Sequence, residues 1–295
     1  MSMRVFVAGA SGVLGRQVVP ALIAAGHTVT ANVRDPDAAT RATAAGAAST
    51  TVDLFDPAAT ARLGDDHDAI VNVATSIPTG ASAAFRRGWA MNDRLRRDAS
   101  ANLAAAMAGT GGRYVGESIT FPYADGGDEW IDEQMDRTYF WGNQTCVDAE
   151  AAGQRVADAG GTGVVLRFAM FIADDSAHGA MIRGIARRGV FALPGEIDAY
   201  TSLVHVEDAA SAVVAALGAP SGIYNVAEPD PARRSAHCLA LARSVGRSKL
   251  RPQPRPLLRL AGKGMTSLGR SQRISSGKLT AATGWTPQRA TVDAW

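Results

Sequence analysis

The chain has 295 residues, of which 46% are hydrophobic and 20% charged, with 30 Lys and Arg against 28 Asp and Glu. That composition belongs to a globular protein of one large or two coupled domains, not to a disordered chain. Two cysteines, Cys146 and Cys238, make no disulfide framework, and no Cys/His cluster has zinc spacing, so no metal is expected; no apolar run reaches the roughly 18 residues of a membrane span.

The chain opens on an apolar run, Val5 to Ala8, that reads as a strand and ends in glycine. Residues 16–25 fit a helix in spite of Pro20. Residues 29–33 read as a second strand, 50–54 as a third and 69–74 as a fourth, the last apolar enough to be buried on both faces. Residues 86–107 read as one long alanine-rich helix, 113–118 as a fifth strand, 146–159 as a helix and 163–168 as a sixth strand. Strands alternating with helices at this spacing predict right-handed βαβ units. After about residue 170 the alternation loosens. Residues 202–206 and 223–226 read as short strands flanking a helix over 207–217. The predicted fold class is α/β: a Rossmann-type doubly wound parallel sheet with a smaller C-terminal substrate-binding domain. Residues 1–170 form the nucleotide domain, with 200–226 returning to it. Residues 171–199 and 227–295 form the substrate domain.

Three glycines spaced three apart, Gly9, Gly12 and Gly15, follow the first strand. They supply a tight turn, close backbone approach to a phosphate and close packing of helix on strand, so a pyrophosphate can sit on the helix N-terminus. The second strand ends at Val33 and is followed by Arg34. A dinucleotide site selective for NADH usually carries an acid here, which would repel a 2′-phosphate, whereas a guanidinium pairs with one. NADPH (NADP+) is therefore expected over NADH, with Arg16 as a further source of charge.

Several motifs together resemble the extended, and more closely the atypical, short-chain dehydrogenases/reductases of the epimerase/dehydratase-like type. They are the glycine triplet, Val52-Asp53-Leu54, Asn72-Val73-Ala74, Asn92 with Asn102-Leu103, Leu166-Arg167-Phe168, residues 201–210 and Gly284-Trp285-Thr286-Pro287. The resemblance spans nearly the whole chain. It implies nicotinamide chemistry in a cleft between two domains. The cofactor would lie against Gly9, Ser11, Gly12, Val13, Leu14, Gly15, Arg34, Asp53, Leu54, Val73, Ala74, Thr75 and Phe168.

The resemblance breaks at catalysis. The family uses a Tyr and a Lys four apart on one helix, and those places fall on Gly142 and Cys146. A shifted register offers Tyr139, but Asn143 then stands at the Lys place. Tyr139 is read as a pocket aromatic first and a proton donor second. Ser118 and Thr120 are candidates to orient a carbonyl. Loss of a positioned proton donor costs about 10²–10⁴ in rate, so three readings stay open. One is a reductase whose substrate supplies its own acid, such as a polycyclic aromatic ketone beside a phenol, as for the atypical ketoreductases that tailor aromatic polyketide antibiotics. Another is a nucleotide-bound redox sensor that catalyses nothing. The third is an epimerase or dehydratase.

The connection over residues 121–141 leaves the carboxyl end of the sheet, is rich in glycine and aromatics, and reads as a lid. Tyr123, Trp130, Phe140, Trp141, Met170, Phe171 and Met181 are expected to line the lid and an apolar pocket. The expected partner is a small aromatic ketone, with no nucleic acid and no membrane, for a monomer or homodimer. Residues 231–295 hold 13 basic side chains against one acid, but these are dispersed and form no compact block. No basic-then-apolar leader opens the chain, and a reducing cytoplasm is the expected setting.

Overall fold

The computed structural model describes residues 2–173, 176–253 and 263–295. Seven parallel strands form its main sheet. Numbered in chain order, these are β1 (Arg4–Ala8), β2 (Thr28–Asn32), β3 (Ala48–Thr50), β4 (Ala69–Asn72), β5 (Arg113–Ile119), β7 (Thr162–Phe168) and β10 (Gly222–Val226). They lie in the order β10-β7-β5-β4-β1-β2-β3. The order reverses on either side of β1, which places a ligand crevice at the carboxyl ends of β1 and β4.

The alternation of side chains along β1 builds both faces of the sheet. Val5 and Val7 join one apolar cluster with helices α1 (Gly15–Ala24), α2 (Pro36–Ala44) and α9 (Val206–Ala216). Phe6 and Ala8 join the opposite cluster with Leu103, Met107, Ala152 and Val156. The opposite layer is made by the short helices α3 (Pro57–Ala61) and α4 (Leu63–Asp66), then α5 (Ala90–Arg94), α6 (Ser100–Met107) and α7 (Cys146–Asp158). Pro20 sits inside α1 on its exposed side. Asp35 caps α2 by accepting from the N–H groups of Asp37 and Ala38, with Pro36 at the first helical position.

Two predicted elements differ. The third strand ends at Thr50, not Leu54. Residues 51–54 instead form a loop pinned by the Asn32 side chain, which donates to Val52 O (3.1 Å) and accepts from Val52 N (2.8 Å). The single helix expected over 86–107 is composite. A 3-10 turn (Arg86–Trp89) leads into α5, then a π-helical turn (Leu95–Ala99) leads into α6. Ser100 Oγ donates back to Leu95 O at 3.3 Å across that turn. Such π turns gather at functional sites.

Beyond β7 the chain builds a second, smaller core. Ile182, Ala186, Phe191, Leu193, Leu241, Ala242 and Leu250 pack between α8 (Ala177–Arg187) and α10 (Arg234–Ser244). Strand β8 (Met170–Ile172) pairs with β9 (Leu203–His205), and β6 (Trp130–Ile131) with β11 (Arg273–Ile274). Helix α11 (Lys263–Leu268) precedes β11, and α12 (Gly277–Thr283) follows it and ends on Gly284, whose φ of +74° makes the left-handed stop. Buried Glu228 accepts from the N–H groups of Leu203 and Thr291 and from the Thr291 hydroxyl, fixing the C-terminal turn. No helix of the described residues is long and apolar enough to cross a membrane.

Candidate functional site

The glycine turn is as tight as its spacing demands. A Cβ on Gly15 would lie 2.1 Å from Gly9 O, and one on Gly9, whose φ is +83°, would lie 2.6 Å from Ala74 Cα. Gly12 N donates to Gly9 O at 3.0 Å. The turn after β1 therefore packs directly on the loop after β4, bringing Ala74 and exposed Thr75 beside the N-terminus of α1. Ser11 is exposed, Val13 half-buried and Leu14 buried. This cradle, which any side chain would fill, fits a pyrophosphate on the helix end.

Charged side chains of both signs flank the turn. Arg34 is exposed, and the neighbouring Asp35 accepts the capping bonds of α2 and faces Arg41 at 3.9 Å. A cleft of about 120 Å³ beside the turn is lined by Ser11, Arg16 and Arg41 among others. Asp53 is exposed and accepts from Phe55 N at 2.9 Å, while Asn102 Nδ2 donates to Leu54 O at 3.0 Å. Val73 is buried, and Phe168 closes β7 with its ring 5.3 Å from that of Phe171.

The reaction slot differs most from what the sequence promises. Gly142 is not an empty position: a Cβ there would lie 2.6 Å from the Phe140 ring and 3.4 Å from Trp89. The Phe140, Trp141 and Trp89 rings pack edge to face, at 5.7 Å and 6.3 Å between centroids. Cys146 is fully buried, and burial, with Glu150 nearby, pushes its thiol up to about 12. It is a neutral group at neutral pH.

Around Cys146 lies a buried ion network. Arg96, from the π turn, makes a two-pronged pair with Glu117 of β5, at 2.8 and 3.1 Å. Glu150 of α7 receives Arg167 Nε and Nη2, both at 2.8 Å, Arg137 Nη1 at 2.6 Å and the Ser118 hydroxyl at 2.9 Å. Burial raises the Glu150 carboxyl, but hydrogen bonds and charge from Arg167 and Arg137 outweigh it and hold the group below its ordinary range. Sequence reasoning missed this network. Its signal was Glu117 in the middle of a strand expected to be buried, since a charge buried in a sheet must find a partner.

Ser118 and Tyr123 are corrected, and the other expected site residues lie as follows. Ser118 is fully buried and committed to Glu150, so it does not present its hydroxyl to a carbonyl. Thr120 is buried beside it, its N–H donating to Phe168 O. Tyr123 is no lid residue. Fully buried, it accepts from Arg167 Nη1 (2.6 Å) and donates to Asn225 Oδ1 (2.8 Å). Residues 121–131 are not a free flap either. Arg270 and Gln272 donate to the Tyr123 carbonyl, and Gly126 N donates to Ser271 O. Trp130 is exposed and lies under the Arg273 guanidinium, 4.1 Å from its ring centre. Tyr139 is half-buried with Arg137 over its ring at 5.5 Å, and burial raises its hydroxyl, making it a poorer acid. Met170, Phe171 and Met181 are half-buried, Met170 against the smaller core and Phe171 against the main one.

The family model for NAD(P)H-binding proteins matches residues 9–220. The chain belongs to this NAD(P)H-binding family. A Streptomyces protein named 3-diazoavenalumate denitrifying reductase is 32% identical over 97% of this chain and 96% of its own length. An epimerase family protein of Mycobacterium bovis is 28% identical over 86% of this chain and 81% of its own. Among solved structures, a human epimerase family protein with NADPH superposes at a TM-score of 0.75 with 21% identity, covering 99% of this chain and 97% of that one. Bordetella bronchiseptica WbmG with NAD gives 0.76 at 17% identity, covering 100% and 92%. These two likenesses establish the Rossmann fold.

Proposed function

We propose that this protein is an NADPH-dependent reductase of a small aromatic substrate whose reduction needs a hydride but no proton from a Tyr–Lys pair. The observation that carries the reading is the slot beside the cradle: Phe140 occupies the space over Gly142, and Cys146 is buried and neutral. A bound NADPH supplies a hydride, which would replace departing N₂ at a diazo-bearing ring carbon. The relative's printed name makes a diazo-arene acid the first substrate to try. That chemistry leaves no alkoxide to be protonated, so a slot without an acid suits it.

The chain's own residues have separable tasks in this reading. Gly9, Gly12 and Gly15 receive the pyrophosphate on α1, and Arg34, with Arg16 and Arg41 nearby, receives the 2′-phosphate. Trp89, Phe140 and Trp141 offer ring faces and edges to a flat substrate and exclude water. That aromatic trio also supports a second reading: reduction of a polycyclic aromatic ketone that carries its own phenolic acid, as in antibiotic biosynthesis. An epimerase or dehydratase would need the general base that Gly142 and Cys146 do not supply.

The test is to mix purified protein and deuterium-labelled NADPH with a diazo-hydroxycinnamate, and separately with a hydroxylated polycyclic ketone. Deuterium on the ring with N₂ released supports the first reading, and deuterium on a carbinol carbon the second. No protein-dependent consumption of NADPH with either refutes both.

A further inference from the structure

Three buried N–H donors beside the reaction slot have no hydrogen-bond partner among the described residues: Asn92 Nδ2, Arg96 Nη1 and Asn143 Nδ2. Their residues are 0%, 1% and 3% exposed. The remaining polar atoms of each group are engaged, which fixes the orientation. Asn92 Oδ1 accepts from Ser76 N at 3.0 Å, Asn143 Oδ1 accepts from Phe140 N at 2.9 Å, and Arg96 spends Nε and Nη2 on Glu117. In all three the spare atom is a donor. Asn92 and Arg96 stand one turn apart on the composite helix. Thr145 Oγ1 donates to Asp93 Oδ1 at 2.9 Å, tying that helix to the segment that carries Asn143. The Arg96 charge acts on Cys146, three residues further on.

A buried donor left without an acceptor is costly, and three in neighbouring turns call for a ligand atom that only accepts. A neutral hydroxyl would add a proton where donors already abound. We infer that Asn92, Arg96 and Asn143 form the receiving site for a phenolate oxygen on the ring of the aromatic substrate. The positive charge that the family places at the Lys position, here Cys146, is then offered to the substrate from the facing helix. The inference rests on the aromatic-reductase reading and names the substrate group that the site selects: a ring oxygen ionised and turned toward α5, leaving the rest of the ring against Trp89 and Phe140.

The probe is 4-nitrophenol, titrated into the protein saturated with NADP+. Its ionised form has its own visible band, so binding and ionisation are read together without turnover. Wild type should bind the phenolate and lower the probe's apparent pKa. Asn143→Asp and Asn92→Asp keep the oxygens that cap Phe140 N and Ser76 N, remove the spare donor and add a negative charge in its place. Each should weaken phenolate binding about 10- to 100-fold, with NADP+ affinity unchanged. A paired Arg96→Gln/Glu117→Gln exchange, which leaves no lone buried charge, should abolish the spectral shift. Undiminished binding in these variants overturns the site. Benzoate bound as tightly as the phenolate, and as sensitive to Asn143→Asp, overturns the assignment to a ring oxygen. The titration involves no reduction, so it stands if both proposed reactions fail. Conversely, reductase activity with unchanged KM in both Asp variants rejects the site and leaves the reductase.

Discussion

Replacing Glu150 by Gln is the sharpest test of the buried ion network. The carboxylate receives four donors from three residues and is nine-tenths buried, and its main partner Arg167 is as deeply enclosed. Gln keeps the shape but loses the charge, and it turns an N–H group toward donors. Removing one member of a buried pair costs about 3–5 kcal/mol, because the other charge is left uncompensated. Arg137, a quarter exposed, can recover water, but Arg167 cannot. For a chain of this size, that loss lowers the melting temperature by roughly 6–20 °C. Scanning calorimetry at pH 7 on both proteins measures it. The pH dependence gives a second check. The folded-state pKa of Glu150 is depressed, so its contribution is present above the unfolded carboxylate range and lost as pH falls through the folded value. The gap between wild type and Glu150→Gln should therefore close on acidification below that range. A melting temperature within about 2 °C of wild type at pH 7 would refute the claim that Glu150 is the anchor of this cluster.

Arg34→Ala should raise the dissociation constant for NADPH about 10- to 100-fold and leave NADH binding unchanged; equal losses for both by calorimetric titration would remove Arg34 from the 2′-phosphate. Glu228 titrates in the opposite sense to Glu150: burial, against hydrogen bonds from Thr291 and Leu203, pushes its carboxyl up to about 7. A raised folded-state value means that its stabilising share is full below the unfolded carboxylate pKa and is lost as pH rises through about 7. Melting curves of wild type should decline between pH 5 and pH 8 more steeply than those of Glu228→Gln, and parallel curves would contradict this. Tyr139→Phe should leave turnover within a few-fold, and a loss of about 10² or more in kcat would make Tyr139 the acid after all.

What the sequence made legible follows from how locally each feature is encoded. The glycine turn was readable because its three positions act within seven residues and each answers to a contact that forbids a Cβ. The apolar strands were readable because a strand buried on both faces has little room for other residue types. The third strand was misplaced because the side chain of Asn32, about 20 positions away, supplies the bonds that a ladder would have made to Val52. Arg96 hid in plain view: in the run Arg94 to Asp98 it reads as one more solvated charge. Only the π turn and its non-local partner Glu117 turn it inward. Tyr123 was mistaken for a lid aromatic because its partners, Arg167 and Asn225, lie 44 and 102 residues further on. Residue types announce chemistry, but long-range pairing decides which of them face a ligand.

Pairing also determines how the slot responds to pH. A Tyr–Lys pair has groups that lose their protons on the alkaline side, and activity falls with them. Here Arg96 is paired with Glu117, and Arg137 and Arg167 with Glu150, around Cys146. No arginine gives up its proton in the working range. The Cys146 thiol stays neutral up to about 12, and Tyr139 is shifted upward too. The cations of the slot are thus arginines, which do not titrate in that range. The rate of the chemical step, followed in single turnovers with NADPH saturating, should be flat from about pH 6 to pH 9 once the substrate's own ionisation is divided out. A limb with an apparent pKa inside that window that survives Tyr139→Phe would place an ionising group in the slot and undo the argument.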